Sequence, residues 1–556
     1  MTRTRSVVPR HIGTFLCLCL ISVHLTGCKT DLRPANEAAA GSSTPAPYLP
    51  TGIPQVVVVS GTDREMGVQY GQQAAAAIVH NIALLKSRLY DAYGRETVTR
   101  DMGAWDYYLT RYDPSYRDWL QGIAEGCTRK GYEVSYPDLV ALMIYPTQVW
   151  ARPKTPYPAE TKAGWMNISP SRPLAGPHHS CNSFAATGSM TPDGKTIHAI
   201  TSMAETELMD NIILIAFPVS GISFVAQTYA GRLSSNFAMN SKGFAWTMTA
   251  ILSDSPAWGV PPEVYFHYLA QKTASPAEAL KYLESTPRGG VTGGFILSDA
   301  SGGISVYEGT SDHFHRRRPG DRGEPGPFVV QTNHLVDPSL EVYNPKWLPT
   351  IGTYARYDTV FQYLKEARPG TVDFNFAKKL FASDDWYDAG KMMWVRNQPG
   401  AKEISNSHTS VGQAVFIPAE RTAYLQAGTP SGIGLPAFAT GEYVKIKLAD
   451  DPKAVTQQAD RDALAFYWDA RDAYEHDLND KAGHLTQAIS GKIRSRLDEA
   501  ISSYSLGMDR ASFANLETDE SARIALYAEA MTYYAKSQLY AQMAKTALRG
   551  AGKAHP

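Results

Sequence analysis

Cysteine is scarce in this chain: 556 residues hold five, at positions 17, 19, 28, 127 and 181. So few leave no disulfide framework. Charge of one sign is missing too. Fifty-three basic side chains stand against 54 acidic ones, for a formal net charge of −1. That balance argues against a nucleic-acid binder and against a polybasic membrane surface. Past the N-terminus there is no second apolar span and no internal repeat. Gly289-Gly290-Val291-Thr292-Gly293-Gly294 lacks the Lys-Ser/Thr ending of a phosphate loop. The adjacent imidazoles His178 and His179 would face opposite ways on an extended chain, which favours a loop role over metal binding. No metal and no organic cofactor is implied. Arg316-Arg317-Arg318 reads most simply as a solvated charge cluster. What is plentiful is aromatic: 31 tyrosines and 10 tryptophans, in a chain long enough for two or three domains and a large core.

The N-terminus carries an address. Arg3, Arg5 and Arg10 precede the apolar run Ile12–Val23, too short to span a bilayer stably, and Leu25-Thr26-Gly27-Cys28 follows. This is a secretory signal over 1–27. Leu-Thr-Gly-Cys also resembles the bacterial lipobox, which would lipidate Cys28 and hold the mature chain on the membrane through that anchor; an ordinary signal with an incidental cysteine is the other reading. Lys29 after the cysteine resembles sorting to the outer membrane, facing the periplasm, if the cell is Gram-negative. The expected location is the cell envelope. Residues 28–52, rich in Ala, Ser, Pro and Gly, then read as a tether.

Only Cys127 and Cys181 would remain in the folded body, where a single Cys127–Cys181 bridge is conceivable. Val56–Ser60 reads as a strand. Helical patterns follow over 63–89, interrupted near Gly67 and Gly71, then over 114–130 and 135–145. The proline-rich stretch 152–179 looks like an exposed loop. From Cys181 onward short β-rich runs separated by turn signals dominate, with helices at 262–272, 275–284 and 352–366. The block from about 456 to 548 is helical. Domain boundaries are therefore expected at 53–180 for an N-terminal segment, 181–440 for a core and 456–548 for a helical appendage, in an α+β layered fold.

The densest chemistry lies around Cys181. His178-His179-Ser180-Cys181-Asn182-Ser183 reads as a polar loop entering a strand. If the Ser180–Cys181 bond is cut, one residue carries both a thiol and a free α-amine. An α-amine with a pKa near about 8 is a usable base at neutral pH, so no separate histidine is needed. A buried free cysteine in a hairpin is the plainer alternative. Cys181 with His334 as base, in the manner of papain-like hydrolases, lacks that family's local cysteine signature.

Several motifs stand in a telling order. They are Gly61-Thr62-Asp63-Arg64-Glu65-Met66-Gly67, Gly122-Ile123-Ala124-Glu125-Gly126, the Cys181 segment, and Asn236-Phe237-Ala238-Met239-Asn240-Ser241-Lys242-Gly243. Leu297-Ser298-Asp299-Ala300-Ser301-Gly302, Gln331-Thr332-Asn333-His334, Thr353-Tyr354-Ala355-Arg356-Tyr357 and the 410–424 stretch complete the series. Over roughly 55–430 this order resembles the acyl-coenzyme A:6-aminopenicillanic-acid acyltransferase family of N-terminal-nucleophile (Ntn) hydrolases, on the bacterial branch near the phospholipase B-like proteins. The resemblance implies a four-layer αββα Ntn-hydrolase sandwich, here with an added C-terminal helical region, cut before its nucleophile between Ser180 and Cys181. It implies Cys181 as nucleophile, Asn333 as the amide donor to the oxyanion, and Arg356 as a fixed positive charge near the thiol. Without it, Asn333 would read as a turn cap and Arg356 as half of a surface ion pair.

One stretch departs from the family. The second strand reads His198-Ala199-Ile200-Thr201-Ser202-Met203, where an Arg/Asp or His/Asn site residue is expected; Thr201 or Ser202 would substitute, and Glu205, Glu207 or Asp210 could compensate. The function expected is autoprocessed cleavage or transfer of acyl groups at amide bonds of small acylated molecules or peptides, through a Cys181 thioester. Deacylation of lipid esters and a catalytically decayed envelope binding protein are the alternatives. The sequence specifies no oligomeric state.

Overall fold

A computed structural model describes residues 54–553 except 154–179, 204–209, 253–255, 347–351, 384, 397–409, 427–441 and 481–484. The signal, Cys28, the tether, His178, His179, Glu205 and Glu207 lie outside the described residues. The described residues belong to one compact unit, although the length would admit more.

β1 (Gln55–Gly61) leads into four helices, α1 (Asp63–Tyr93), α2 (Arg95–Tyr112), α3 (Pro114–Arg129) and α4 (Tyr136–Trp150). The strands β2 (Ser180–Gly188), β3 (Gly194–Met203), β4 (Asn211–Pro218), β5 (Phe224–Tyr229), β6 (Phe237–Asn240) and β7 (Ala245–Ile251) follow. After α5 (Pro262–Lys272) and α6 (Pro276–Ser285) come β8 (Thr292–Ser298), β9 (Ile304–Gly309), β10 (Phe314–Arg317) and β11 (Phe328–Gln331). Then α7 (Thr353–Glu366), α8 (Phe374–Phe381), the small hairpin β12 (Trp386–Asp388) and β13 (Met393–Val395), and β14 (Ser410–Ile417), β15 (Thr422–Gln426) and β16 (Tyr443–Lys447). The chain closes with α9 (Pro452–Asp480), α10 (Gln487–Leu516) and α11 (Glu520–Lys553).

Two sheets carry the fold. One has the order β1-β4-β5-β6-β7-β8-β9-β10 and the other β11-β2-β3-β14-β15-β16. The valine run of β1 shows why they stack. A strand that is apolar at every position must bury both faces. Val57 and Val59 lie under α1–α6 with Leu214, Trp246 and Leu297. Val56 and Val58 face the second sheet, against Ile213, Ile215, Ala414, Phe416 and Leu425. The far side of the second sheet carries Phe184, Ala199, Val330 and Val415 beneath α7 and α8. Helices, sheet, sheet, helices: this is the αββα layering. The N-terminal segment is woven into it, because β1 pairs in parallel with β4.

The glycines of α1 are themselves helical, and the interruption expected near them falls at a kink three residues past Gly71. α1 runs on through Gly67 and Gly71, starting at a Thr62–Glu65 capping box, and its non-helical residue is Ala74 (φ −119°, ψ 18°). The glycines let α3 approach backbone to backbone. A Cβ on Gly71 would sit 2.2 Å from the Ile123 carbonyl oxygen, and one on Gly126 would sit 2.2 Å from that of Val68.

The C-terminal helices help to seal sheet edges. Gln538 of α11 accepts from the Lys445 N–H (2.8 Å) and donates to the Lys445 carbonyl (3.3 Å). Gln542 accepts from the Tyr443 N–H (3.3 Å) and donates to its carbonyl (2.7 Å). On β1, Gln69 and Gln73 of α1 do the same for Ser60 and Val58, and Thr532 of α11 binds Val56. Among the described residues no helix is long and apolar enough to cross a membrane.

Candidate active site around Cys181

Strand register places the site. Cys181 pairs with Ser202 on β3, and Ser202 pairs in turn with Gly412 on β14. Side chains alternate along β2. Phe184 and Ala186 go to the outer core under α7 and α8, while Ala185 packs toward the first sheet with Ile296 and Val306. Cys181 shares the inward face with Ala185. Cys181 is 4% exposed and unbridged, and Cys127 is likewise a free, buried thiol. The conceivable Cys127–Cys181 bridge is therefore not formed. Burial pushes the Cys127 thiol up to about 12, which suits an inert core cysteine.

β11 pairs with β2 so that Gln331 faces Ser183. Two residues beyond the strand end, Asn333 comes level with Cys181. Its Oδ1 accepts the Cys181 backbone N–H at 2.7 Å. The same oxygen accepts from the Arg356 guanidinium at 3.0 Å, and the Asn333 NH2 donates to the Ala250 carbonyl at 2.8 Å. Two donors converging on one atom fix that atom as the acceptor. The amide NH2 expected to point toward a developing oxyanion is thus turned to Ala250 instead. Asn333 is no turn cap.

Arg356 is no surface group either. It is fully buried in the first turns of α7 and reaches into the second sheet, donating to the Cys181 carbonyl (3.0 Å) and to Asn182 Oδ1 (2.7 Å). Burial lowers its pKa to about 10, against the opposing pull of Cys181. The guanidinium remains charged at neutral pH.

The NH2 that does face the sulfur belongs to Asn236, just before β6 in the opposite sheet. Its Nδ2 lies 3.8 Å from Cys181 Sγ and donates to the Met248 carbonyl at 2.9 Å. Ser202 and Ser235 both donate to Asn236 Oδ1 at 3.0 Å, which fixes the orientation of the amide. Ser202 Oγ is also 3.9 Å from Sγ. Of the two second-strand substitutes, Ser202 faces the thiol and Thr201 points the other way along the pleat. Asp210 is taken up by His80 (2.7 Å) and by Asn81, which binds its backbone. Asn236 stood within the motif series without a role. Its signal was the polar Ser234-Ser235-Asn236 run ahead of the apolar β6.

His334 sits beside Asn333 but turns away from the sulfur. Its Nδ1 contacts Thr332 Oγ1 (3.1 Å) and Thr353 Oγ1 (3.0 Å), and its ring packs on Tyr354 and Tyr357. Burial, reinforced by Arg356 and other arginines, lowers its pKa to about 3. A neutral imidazole held in this way is no base for a papain-like pair. His198, linked to Ser298 and Thr247 between the sheets, is likewise lowered to about 3 by burial. Among the described residues no group of three or more His, Cys, Asp or Glu side chains is arranged to hold a metal.

The arrangement offers a dry thiol, an oriented amide donor beside it, and a residue-181 nitrogen aimed at a carbonyl oxygen. Residues 194–431 match the family model of "Acyl-coenzyme A:6-aminopenicillanic acid acyl-transferase". The match includes Asn236, Asn333 and Arg356 and begins after Cys181, a narrower span than the motif order suggested. A protein of Archaeoglobus fulgidus described as uncharacterized is 24% identical over 298 residues, covering 49% of this chain and 47% of its own length. The chain thus spans about half of that relative. Among solved structures, a Caenorhabditis elegans ortholog of N-acylethanolamine-hydrolyzing acid amidase has 15% identity and a TM-score of 0.31, covering 43% of this chain and 93% of its own. Penicillin V acylase from Agrobacterium tumefaciens has 17% identity and a TM-score of 0.30, covering 44% and 83% respectively.

Proposed function

We propose that this chain is a self-processed cysteine Ntn hydrolase or acyltransferase acting on amide bonds of small acylated molecules or peptides. The observation that carries the reading is the dual placement of Cys181. Its sulfur faces the Asn236 NH2 at 3.8 Å while its nitrogen donates to Asn333 Oδ1 at 2.7 Å. In the first step the thiol adds to the Ser180 carbonyl and the peptide nitrogen leaves as the Cys181 amine. Water then hydrolyses the resulting thioester, leaving a Ser180 carboxylate.

In turnover the free amine takes the thiol proton and the thiolate attacks the acyl carbonyl. The oxyanion takes a hydrogen bond from Asn236 Nδ2, whose partners already hold it in place. The ammonium then protonates the departing amine, and water or another amine releases the acyl group from sulfur. Arg356 keeps the Cys181 carbonyl and Asn333 fixed throughout. Lipidation at Cys28, and with it an envelope location, belongs to the same proposal. Its check is the loss of lipid-dependent mass in a Cys28→Ser chain.

Intact mass and N-terminal sequencing of the purified mature protein test the core of the proposal. Two fragments, the larger beginning at Cys181, support it; one uncut chain, inert to thiol-directed acylating probes, points to a binding protein. N-acyl amino acids run beside lysophospholipids then separate amide from ester substrates. Replacing Asn236 with Ala should lower kcat about 10²–10³-fold with KM changed little, because the lost contact strengthens only in the transition state. Unaltered turnover in that variant would remove Asn236 from the oxyanion site.

A further inference from the structure

We propose that Arg317, with its partner Glu308, is a positioning residue for the Cys181 nitrogen; this rests on the reading just given. The arginine triplet is not a solvated cluster. Arg316 is exposed and pairs with Glu284, but Arg317 is fully buried and pairs with Glu308, itself fully buried. These two residues bridge the sheets. Arg317 closes β10 in the first sheet, yet it donates to the Val330 carbonyl (3.0 Å) and to Gln331 Oε1 (2.6 Å) on β11 in the second.

Everything it holds converges on one loop. Gln331 Nε2, its orientation fixed by the Arg317 contact to Oε1, donates to the Thr332 carbonyl (3.2 Å) and the His334 carbonyl (2.8 Å). Glu308 Oε2 accepts from the Val336 N–H (2.6 Å) and the Asp337 N–H (3.1 Å). The backbone is therefore tied on both sides of Asn333, whose Oδ1 receives the Cys181 nitrogen. Gly294 leaves the room this needs: a Cβ there would lie 2.5 Å from the Gln331 side chain. A buried ion pair is a poor source of net stability, and specifying one arrangement is its better-attested use.

The effect on chemistry has a sign. An acceptor aimed at the Cys181 amine stabilises its protonated form, so a slack loop lowers the amine pKa. Of the charged or titratable groups around this nitrogen, Arg356 from α7 donates to the Cys181 carbonyl, His334 beside Asn333 is held neutral by burial, and Arg317 and Glu308 act through the loop they bind.

The test is Arg317→Met, together with the double variant Arg317→Met/Glu308→Met, which leaves no uncompensated buried charge should the single variant misfold. In matured protein we expect kcat about 10–100-fold lower with KM within about threefold, and the acidic limb of kcat/KM moved down by about half a pH unit. A lower Tm with kcat and the acidic limb unmoved would overturn the proposal. Should the parent chain prove uncut, the function proposed above fails by itself. The positioning link is then read from hydrogen exchange at the Cys181 amide: at least about tenfold faster exchange in the variant supports it, and unchanged protection sinks it.

Discussion

A Cys181→Ala chain is expected to stay in one piece and to lose turnover by at least about 10⁴-fold, the scale seen when a covalent nucleophile is removed. Both events need the same sulfur: one attack on the Ser180 carbonyl, then one per substrate molecule. The fold should survive, because the side chain is small and the strand's pairing with Ser202 runs through the backbone. Trimming one buried sulfur costs about 1 kcal/mol, so circular dichroism should match the parent. Gel migration and an acyl-release assay read the two losses together. Normal maturation with full activity would end the mechanism. Normal maturation without activity would give the cut to an outside protease.

Gly71→Ala should damage the fold severely. Its Cβ would meet the Ile123 carbonyl oxygen at 2.2 Å and the Cys127 nitrogen at 2.9 Å, both backbone atoms that no rotamer change can move. Gly126 presents the same obstacle from the other helix, so neither partner can yield. Overpacking of this kind costs about 3 kcal/mol or more. Gly491→Ala is the control. Nothing lies within 4 Å of it in α10, and there alanine should add about 0.5–1 kcal/mol of stability. Melting temperatures decide. A Gly71→Ala protein that melts with the parent would mean that the two backbones are not in contact.

The glycines show where reading by period falls short. Gly67 and Gly71 weaken a helical pattern locally, so the sequence suggests breaks; their reason lies in α3, some fifty residues away, which no local pattern contains. Motif order fared better than local pattern. It brought Cys181, Asn333 and Arg356 to one point, and the layers follow from runs such as Val56–Val59 whose two faces both need cover. The finer geometry was out of reach. Asn333 turns its carbonyl inward because two donors, one of them on α7, converge there. Asn236 enters from the other sheet. Arg317 looks solvated beside two other arginines, and only the pairing of β10 with β9, which places it across from Val306 and near Glu308, takes it inside. For α2 the signal is in the sequence, since Val98, Met102, Trp105 and Leu109 stand at i, i+4, i+7 and i+11 and form its buried stripe among many charged neighbours.

The paired glutamines on β1 and β16 have a consequence for how this protein behaves in company. An open strand border invites a neighbouring molecule to zip onto it, and such borders are where fibrils and strand exchange begin. Here primary amides borrowed from two helices imitate a missing strand, meeting each N–H and C=O in turn. At β16 the carboxy-terminal bundle thereby works as a stopper against polymerisation, and a chain shortened to residue 455 should clump through that border before it loses its chemistry.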